Sequence, residues 1–187
     1  MIEKEIDSKI EEYERDSNKD ESRYLKDDKA INRVFKKYPT NTIFEEVLAK
    51  VCIINTLYSA GVRENQVRKL AEHIINIASL DEKIRKGDLE AFNSISNTPK
   101  DMNNVPVFAS KYCHFSNPQK FVIYDSNSRR ALVNLNNKLH FADTFTENAI
   151  TDYQKYKKNL DLFLGRLQKA YSYKKIDEFL WLYGKKP

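Results

Sequence analysis

Residues 105 to 135 read VPVFASKYCHFSNPQKFVIYDSNSRRALVNL. This stretch decides the fold because its punctuation sets one lysine and one aspartate at the starts of two successive helices. Ser110 is a suitable N-cap ahead of Lys111. Asn117-Pro118 stops that helix after about two turns, since proline removes a donor and disfavours helix in the residue before it. The chain then runs extended through Phe121-Val122-Ile123-Tyr124. Asp125 caps a second helix, whose apolar positions Ala131, Leu132 and Leu135 recur at helical spacing. On one unbroken helix Lys111 and Asp125 would lie about 21 Å apart. The break lets the chain turn back, which allows both groups to face one pocket. The residues by themselves leave ordinary roles open: a cap, a solvated lysine, or a structural salt bridge.

Outward from this stretch the pattern stays helical. Residues 43 to 59, IFEEVLAKVCIINTLYS, form the most apolar helix, expected to be central and buried, with Asn41 or Thr42 as its cap. Gly61 acts as its C-cap. Glu64 to Ala78 carries Val67, Leu70, Ala71, Ile74, Ile75 and Ala78 on one face, so His73 there is structural. Residues 80 to 96 give one or two shorter helices interrupted at Gly87. Beyond Leu135, Asn136 and Asn137 end the aspartate-capped helix and residues 138 to 150 are loop-like. Tyr153 to Tyr173 is a long helical stretch from which Lys155, Lys157, Lys158, Arg166 and Lys169 project. Ile176 to Gly184 is a last short helix, whose Trp181 is read as a core anchor.

The chain of 187 residues suffices for one domain plus an arm. Residues 1 to 28 form an acidic N-terminal arm, with Ile2, Ile6, Ile10 and Tyr13 at helical spacing and a polar linker at Ser17-Asn18-Lys19-Asp20. The arm carries a net charge of −5, against +10 for residues 29 to 187. A basic body suits a polyanionic partner, because each phosphate neutralised releases counterions. The arm is expected to pack on the body, and is also a candidate for self-association. No run reaches the roughly 18 apolar residues of a membrane span, and MIEKEIDSKI has no apolar signal region, which predicts a cytoplasmic protein with no membrane partner. Cys52 and Cys113 are expected to be reduced, buried thiols that form neither a disulfide framework nor a metal site. No cofactor is implied.

Val105-Pro106-Val107-Phe108-Ala109-Ser110-Lys111 resembles the Leu-Pro-Gly-Val-Gly-Thr-Lys hairpin of the helix-hairpin-helix DNA glycosylases, in particular the 8-oxoguanine DNA glycosylases. Pro118, Ile123, Tyr124, Asp125 and Arg130 continue the match, at the proline and the apolar-Asp-x-x-x-x-Arg pattern of that superfamily. Upstream, Val51-Cys52-Ile53-Ile54-Asn55 is similar to the helix whose asparagine fills the gap left by a flipped base. Both hairpin glycines are replaced here, by Val107 and Ala109, where glycine lets backbone approach a phosphate. The Lys-to-Asp interval is several residues shorter than in the usual enzymes, as in small bacterial proteins of this fold, and no cysteine cluster for an iron-sulfur site is present.

The resemblance implies a mostly α, helix-hairpin-helix DNA glycosylase-like domain over residues 29 to 187. Its partner would be double-stranded DNA with a damaged or modified base such as 8-oxoguanine, in the nucleoid if the source is bacterial. Asp125 would stabilise the cation-like sugar, and Lys111 would attack C1′ to form a Schiff base, giving lyase activity beside base release. Asn55, Ser110, Arg129 and Arg130 would contact DNA, and Tyr112, His114 and Tyr124 would line the substrate pocket. The competing class is a non-catalytic DNA-binding or partner-binding module on the same fold.

Overall fold

A computed structural model describes residues 2–15 and 20–185. Among the described residues the chain is mostly helical and has no β-strand. Ser17, Asn18 and Lys19 of the expected linker lie outside the described residues. By its internal contacts the chain divides into two compact units, Lys26–Phe121 and the combination of Met1–Leu25 with Val122–Pro187.

The terminal unit contains α1 (Ile2–Glu14), the first turn of α2 (Arg23–Lys37), and three helices from the C-terminal part. These are α8 (Ser126–Leu139), α9 (Tyr153–Arg166) and α10 (Tyr173–Tyr183). The apolar stripe expected of the arm is real: Ile6, Ile10 and Tyr13 are buried, and α1 packs along α10. Helix α10 also packs on α8, which contributes Ala131, Leu132 and Leu135 to the core. Trp181 anchors one edge with its indole against the rings of Tyr24 at 4.9 Å and Tyr13 at 6.2 Å. The extended entry into α8 is fixed by Tyr153, whose hydroxyl donates to Val122 O and accepts from Val122 N, both at 3.0 Å.

Two boundaries in this unit differ from the sequence reading. Helix α8 runs on to Leu139, because Asn136 turns inward and binds the following loop: its amide nitrogen donates to Asp143 O at 3.0 Å and its oxygen accepts from Ala142 N at 2.9 Å. Helix α9 stops at Arg166, one residue after Gly165, so the helical stretch expected to run from Tyr153 to Tyr173 is broken over residues 167 to 172. Glycine weakens a helix by about 1 kcal/mol relative to alanine, and here it marks the end.

The central unit holds the rest of α2, then α3 (Phe44–Leu57), a 3-10 turn (Glu64–Gln66), α4 (Val67–Ile75), α5 (Leu80–Lys86), α6 (Leu89–Ser96) and α7 (Pro106–Ser116). Gly87, at φ +75°, closes α5 in the left-handed region and separates it from α6, as its position in the sequence suggests. Helix α7 is the middle of this unit. Eight consecutive residues from Phe108 to Phe115 are buried, and α7 packs on both α3 and α6. A helix buried all round is a core helix whatever its amphipathicity. The central role expected of residues 43 to 59 therefore belongs to α7, while α3 buries one face only, through Val47, Lys50, Val51 and Ile54. Cys52 is on the other face and exposed, contrary to expectation; Cys113 is buried, which pushes its thiol pKa up. Helix α3 starts at Phe44 behind Ile43, with no side-chain cap, because Asn41 points into the unit instead.

The largest difference concerns the opening stretch. Val105-Pro106-Val107-Phe108-Ala109 is not a hairpin: α7 begins at Pro106, with Val105 as its N-cap. Proline suits a first helical position, where its fixed φ is preset and its missing N–H is not needed. Ser110 is thus in the helix interior, where its hydroxyl donates back to Val107 O at 2.8 Å. Lys111 lies in the second turn of α7 and does not follow a cap.

Candidate functional site

Lys111 is 4% exposed, unusual for a lysine, and the structure fixes its amine. Nζ donates to the backbone carbonyl of Tyr58 at 3.0 Å and lies 5.0 Å from the centre of the same residue's ring. Tyr58, just past the end of α3, is itself tied down: its hydroxyl donates to Asp28 Oδ1, and its ring meets Phe115 edge-on at 5.4 Å. The carbonyl becomes available because α3 ends here, and the last carbonyls of a helix have no intrahelical donor. Ser59 in the left-handed region, φ 45°, completes the turn.

The other residues named from the sequence in this unit are engaged in packing. Tyr112 is fully buried; its hydroxyl donates to Asn41 Oδ1, and burial, then the neighbouring Cys113 and Asp81, hold its pKa well above the ordinary tyrosine value. His114 is 1% exposed, with Nδ1 2.8 Å from Phe121 O, the geometry of a ring nitrogen donating to a carbonyl. Asn55 grips the loop after α3 from both ends of its amide: Nδ2 donates to Val62 O at 2.8 Å and Oδ1 accepts from Val62 N at 3.0 Å. These contacts are the ordinary alternative for each residue.

A second buried lysine was missed in the sequence. Lys50 in α3 is 1% exposed, and its amine donates to Thr40 O at 2.7 Å and to Asn41 Oδ1 at 2.6 Å. Asn41 in turn donates to Asp81, through Nδ2 at 2.6 Å and its backbone N at 3.2 Å. Burial lowers the Lys50 pKa from 10.5 to about 8, against the opposing charges of Asp81 and Glu46. The signal was present: Val47, Lys50, Val51 and Ile54 share the 3–4 spacing of one helix face.

In the terminal unit Asp125 caps α8 as expected. Its Oδ1 accepts from Ser128 N at 2.9 Å and from Ser128 Oγ at 3.1 Å, so both bonds fall on one carboxylate oxygen. Tyr124 is buried and donates to Thr151 O at 2.6 Å, while the Arg129 guanidinium stacks 5.3 Å from the centre of its ring. The Arg129 Nε is buried without a hydrogen bond. Arg130 joins α8 to the end of α10: it donates to Gly184 O and to Asn127 Oδ1, and pairs with Glu147 at 3.8 Å. Behind the cap is Tyr156, fully buried. Burial and the nearby carboxylates of Asp177 and Asp125 raise its pKa well above the ordinary value, and the Ser128 hydroxyl opposes this without reaching hydrogen-bond geometry. Among the described residues no three His, Cys, Asp or Glu side chains come together to hold a metal ion.

Lys111, Ser110, Tyr112, His114 and Asn55 thus belong to the central unit, and Asp125, Tyr124, Arg129 and Arg130 to the terminal one. Residues 5–120 match the family model HI_0787_N, described as an N-terminal domain. The chain belongs to the HI_0787_N family. The HI_0787_N match takes in α3, Lys50, Asn55 and Lys111 and ends before Asp125. An uncharacterized protein of Haemophilus influenzae is 31% identical over 147 residues, which is 78% of this chain and 69% of the relative. No solved structure matches this HI_0787_N chain. No described helix is long and apolar enough to cross a membrane.

Proposed function

We propose that the protein is a DNA glycosylase with associated abasic-site lyase activity, acting on duplex DNA that carries a damaged or modified base. The observation that carries the reading is the Lys111 amine, held at 3.0 Å by a backbone carbonyl on a side chain 4% exposed. A surface lysine samples many rotamers, whereas a nucleophile works best from one fixed position. The resemblance from Val105 to Arg130 supplies the chemistry. The Lys111 nitrogen bonds to C1′ while the bond from C1′ to the base breaks, and the base departs with the electron pair and gains a proton. The sugar ring then opens to an imine with Lys111. By the same resemblance, Asp125 would offer negative charge to the cation-like sugar.

One observation favours a second reading, a non-catalytic DNA-binding or partner-binding module. Because α7 starts at Pro106, residues 106 to 109 form its first turn, with Phe108 and Ala109 buried, rather than a glycine hairpin open to a phosphate. Base release and strand nicking on duplexes containing 8-oxoguanine, uracil or an abasic site separate the two. The glycosylase reading expects lesion-dependent release, abolished in Lys111→Gln and Asp125→Asn with melting temperature retained. The module reading expects no release by the natural protein, with duplex binding if the module binds DNA and none if it binds a protein partner.

A further inference from the structure

The carbonyl that holds Lys111 belongs to the peptide unit between Tyr58 and Ser59, and the φ of Ser59 is set by the same unit. That φ is 45°, in the left-handed region, where an L residue other than glycine is disfavoured. Left-handed residues are common just past a helix, where the N–H of that residue or the next bonds back to the last carbonyls. Here that reason is missing. Neither the Ser59 N–H nor the Ala60 N–H makes a hydrogen bond among the described residues. What the strained angle does is aim the Tyr58 carbonyl at Lys111 Nζ, 3.0 Å away.

The strain has a simple relief. Tyr58 has φ −106° and ψ 6°. Rotating this one peptide plane by half a turn takes ψ of Tyr58 to about 180° and φ of Ser59 to about −135°, angles of ordinary extended backbone. The carbonyl then faces away from Lys111. Little else has to move, because the Ser59 side chain is exposed and its N–H is not bonded. The Tyr58 side chain stays anchored at Asp28 and Phe115, and Asn55 keeps its two bonds to Val62. At 4% exposure, the amine as held cannot meet a sugar carbon, so a reaction at Lys111 requires its release.

We propose that the Tyr58–Ser59 peptide is a two-position switch, which holds the Lys111 amine in one orientation and releases it in the other. Its use as a gate for chemistry rests on the reading of Lys111 as a nucleophile, whereas the switch itself rests on the geometry of the turn. Only molecules with the peptide flipped are competent, and the observed rate scales with their fraction.

The test is reductive methylation of the protein with formaldehyde and cyanoborohydride, each lysine followed by mass spectrometry. The amine adds to the aldehyde and loses water to give an imine, which hydride from the cyanoborohydride reduces to a methylamine. Exposed Lys100 and buried Lys50 are internal references for a free and a core amine. Two substitutions push the switch in opposite directions. Ser59→Gly accepts a positive φ without strain and favours the holding orientation. Ser59→Pro fixes φ near about −65° and drives Tyr58 to the extended ψ of the flipped peptide.

Lys111 methylation is expected to be about five- to thirtyfold slower in Ser59→Gly, the factor equivalent to the left-handed penalty, and at least about fivefold faster in Ser59→Pro. In urea below the unfolding transition it should stay level while that of Lys50 climbs, because the flip exposes little surface. Lys111 that tracks Lys50 in urea, or that reacts equally fast in the natural protein and Ser59→Gly, overturns the switch. The glycine variant decides this even where the proline variant does not fold. Methylation shifted as expected, with no base released from lesion duplexes by the natural protein, keeps the switch and overturns the glycosylase reading. Base release with Lys111 methylation unchanged in Ser59→Gly does the reverse.

Discussion

The amine of Lys111 and the backbone of Tyr58 form one unit: Nζ donates to Tyr58 O at 3.0 Å and sits 5.0 Å from the centre of the Tyr58 ring. The acceptor is main chain, so the side chain of Tyr58 can be altered without removing it. Tyr58→Phe keeps the ring and deletes the hydroxyl that donates to buried Asp28. The expected result is a stability loss of about 1–3 kcal/mol by urea unfolding, the range for a hydrogen bond to a buried charged group. Lys111-dependent chemistry should stay within about threefold, since the amine and its acceptor are intact.

Lys50 makes stability depend on pH in the same direction as the usual carboxylate case, a rise with pH, but in the alkaline range. Its folded pKa is lowered to about 8 from 10.5. Below pH 8 the group is protonated in both states, and the cost of a buried charge is fully present. Between about 8 and 10.5 the unfolded chain keeps a proton that the folded chain releases, so stability rises with pH by up to about 1.4 kcal/mol per pH unit, on the order of 3 kcal/mol in all. Burial raises the pKa of Cys113 and Tyr112, and these work the other way once pH passes their ordinary values of 9.0 and 10.0. The clean window is pH 7 to 9. Chemical unfolding there should show a rise in the natural protein above pH 8 that is missing in Lys50→Met; parallel curves would contradict the assignment.

Asn55 is first a clamp. Asn55→Ala removes both bonds to the Val62 backbone and leaves a half-buried N–H and C=O to find water. A loss of about 1–3 kcal/mol is expected, read as a fall in the denaturant midpoint without a change in slope. If Asn55 also fills the gap left by a flipped base, lesion binding falls further than this loss of folded protein accounts for.

Gly184 permits the contact between the end of α10 and the start of α8. A Cβ built there would lie 1.9 Å from Asn127 O, a backbone atom that a rotamer change cannot move. Gly184→Ala should therefore cost about 1–3 kcal/mol by overpacking and disturb the Arg130 bond to Gly184 O. Thermal melting checks it, with Gly165→Ala as the control. Nothing lies within 4 Å of a Cβ at Gly165, and alanine is the better helix former.

Much of the fold was legible because local punctuation and tertiary packing agree. Asn117-Pro118 ends α7, Asp125 caps α8 and Gly87 separates α5 from α6, as their backbone chemistry requires. The start of α7 was misread because Ser110 is a good cap and Pro106 a good first helical residue. Both rules apply to the same seven residues, and burial of Phe108 and Ala109 favours the longer helix. Lys50 was missed because a lysine among apolar residues reads as a solvated interruption, although its spacing puts it on the buried face. The expected site residues each have a definite place, yet Asn55, Tyr112 and His114 are held by structural bonds that no motif announces, since their partners at Val62, Asn41 and Phe121 are set by tertiary packing.

The most direct test is borohydride trapping of the protein on duplexes containing 8-oxoguanine, uracil, an abasic site or no lesion, with Lys111→Gln alongside. Borohydride reduces a transient imine between lysine and sugar to a permanent protein–DNA adduct. The account predicts a lesion-dependent adduct that disappears in Lys111→Gln while that variant still melts cooperatively. Equal adduct in Lys111→Gln, or none on any duplex that the protein binds, would contradict it.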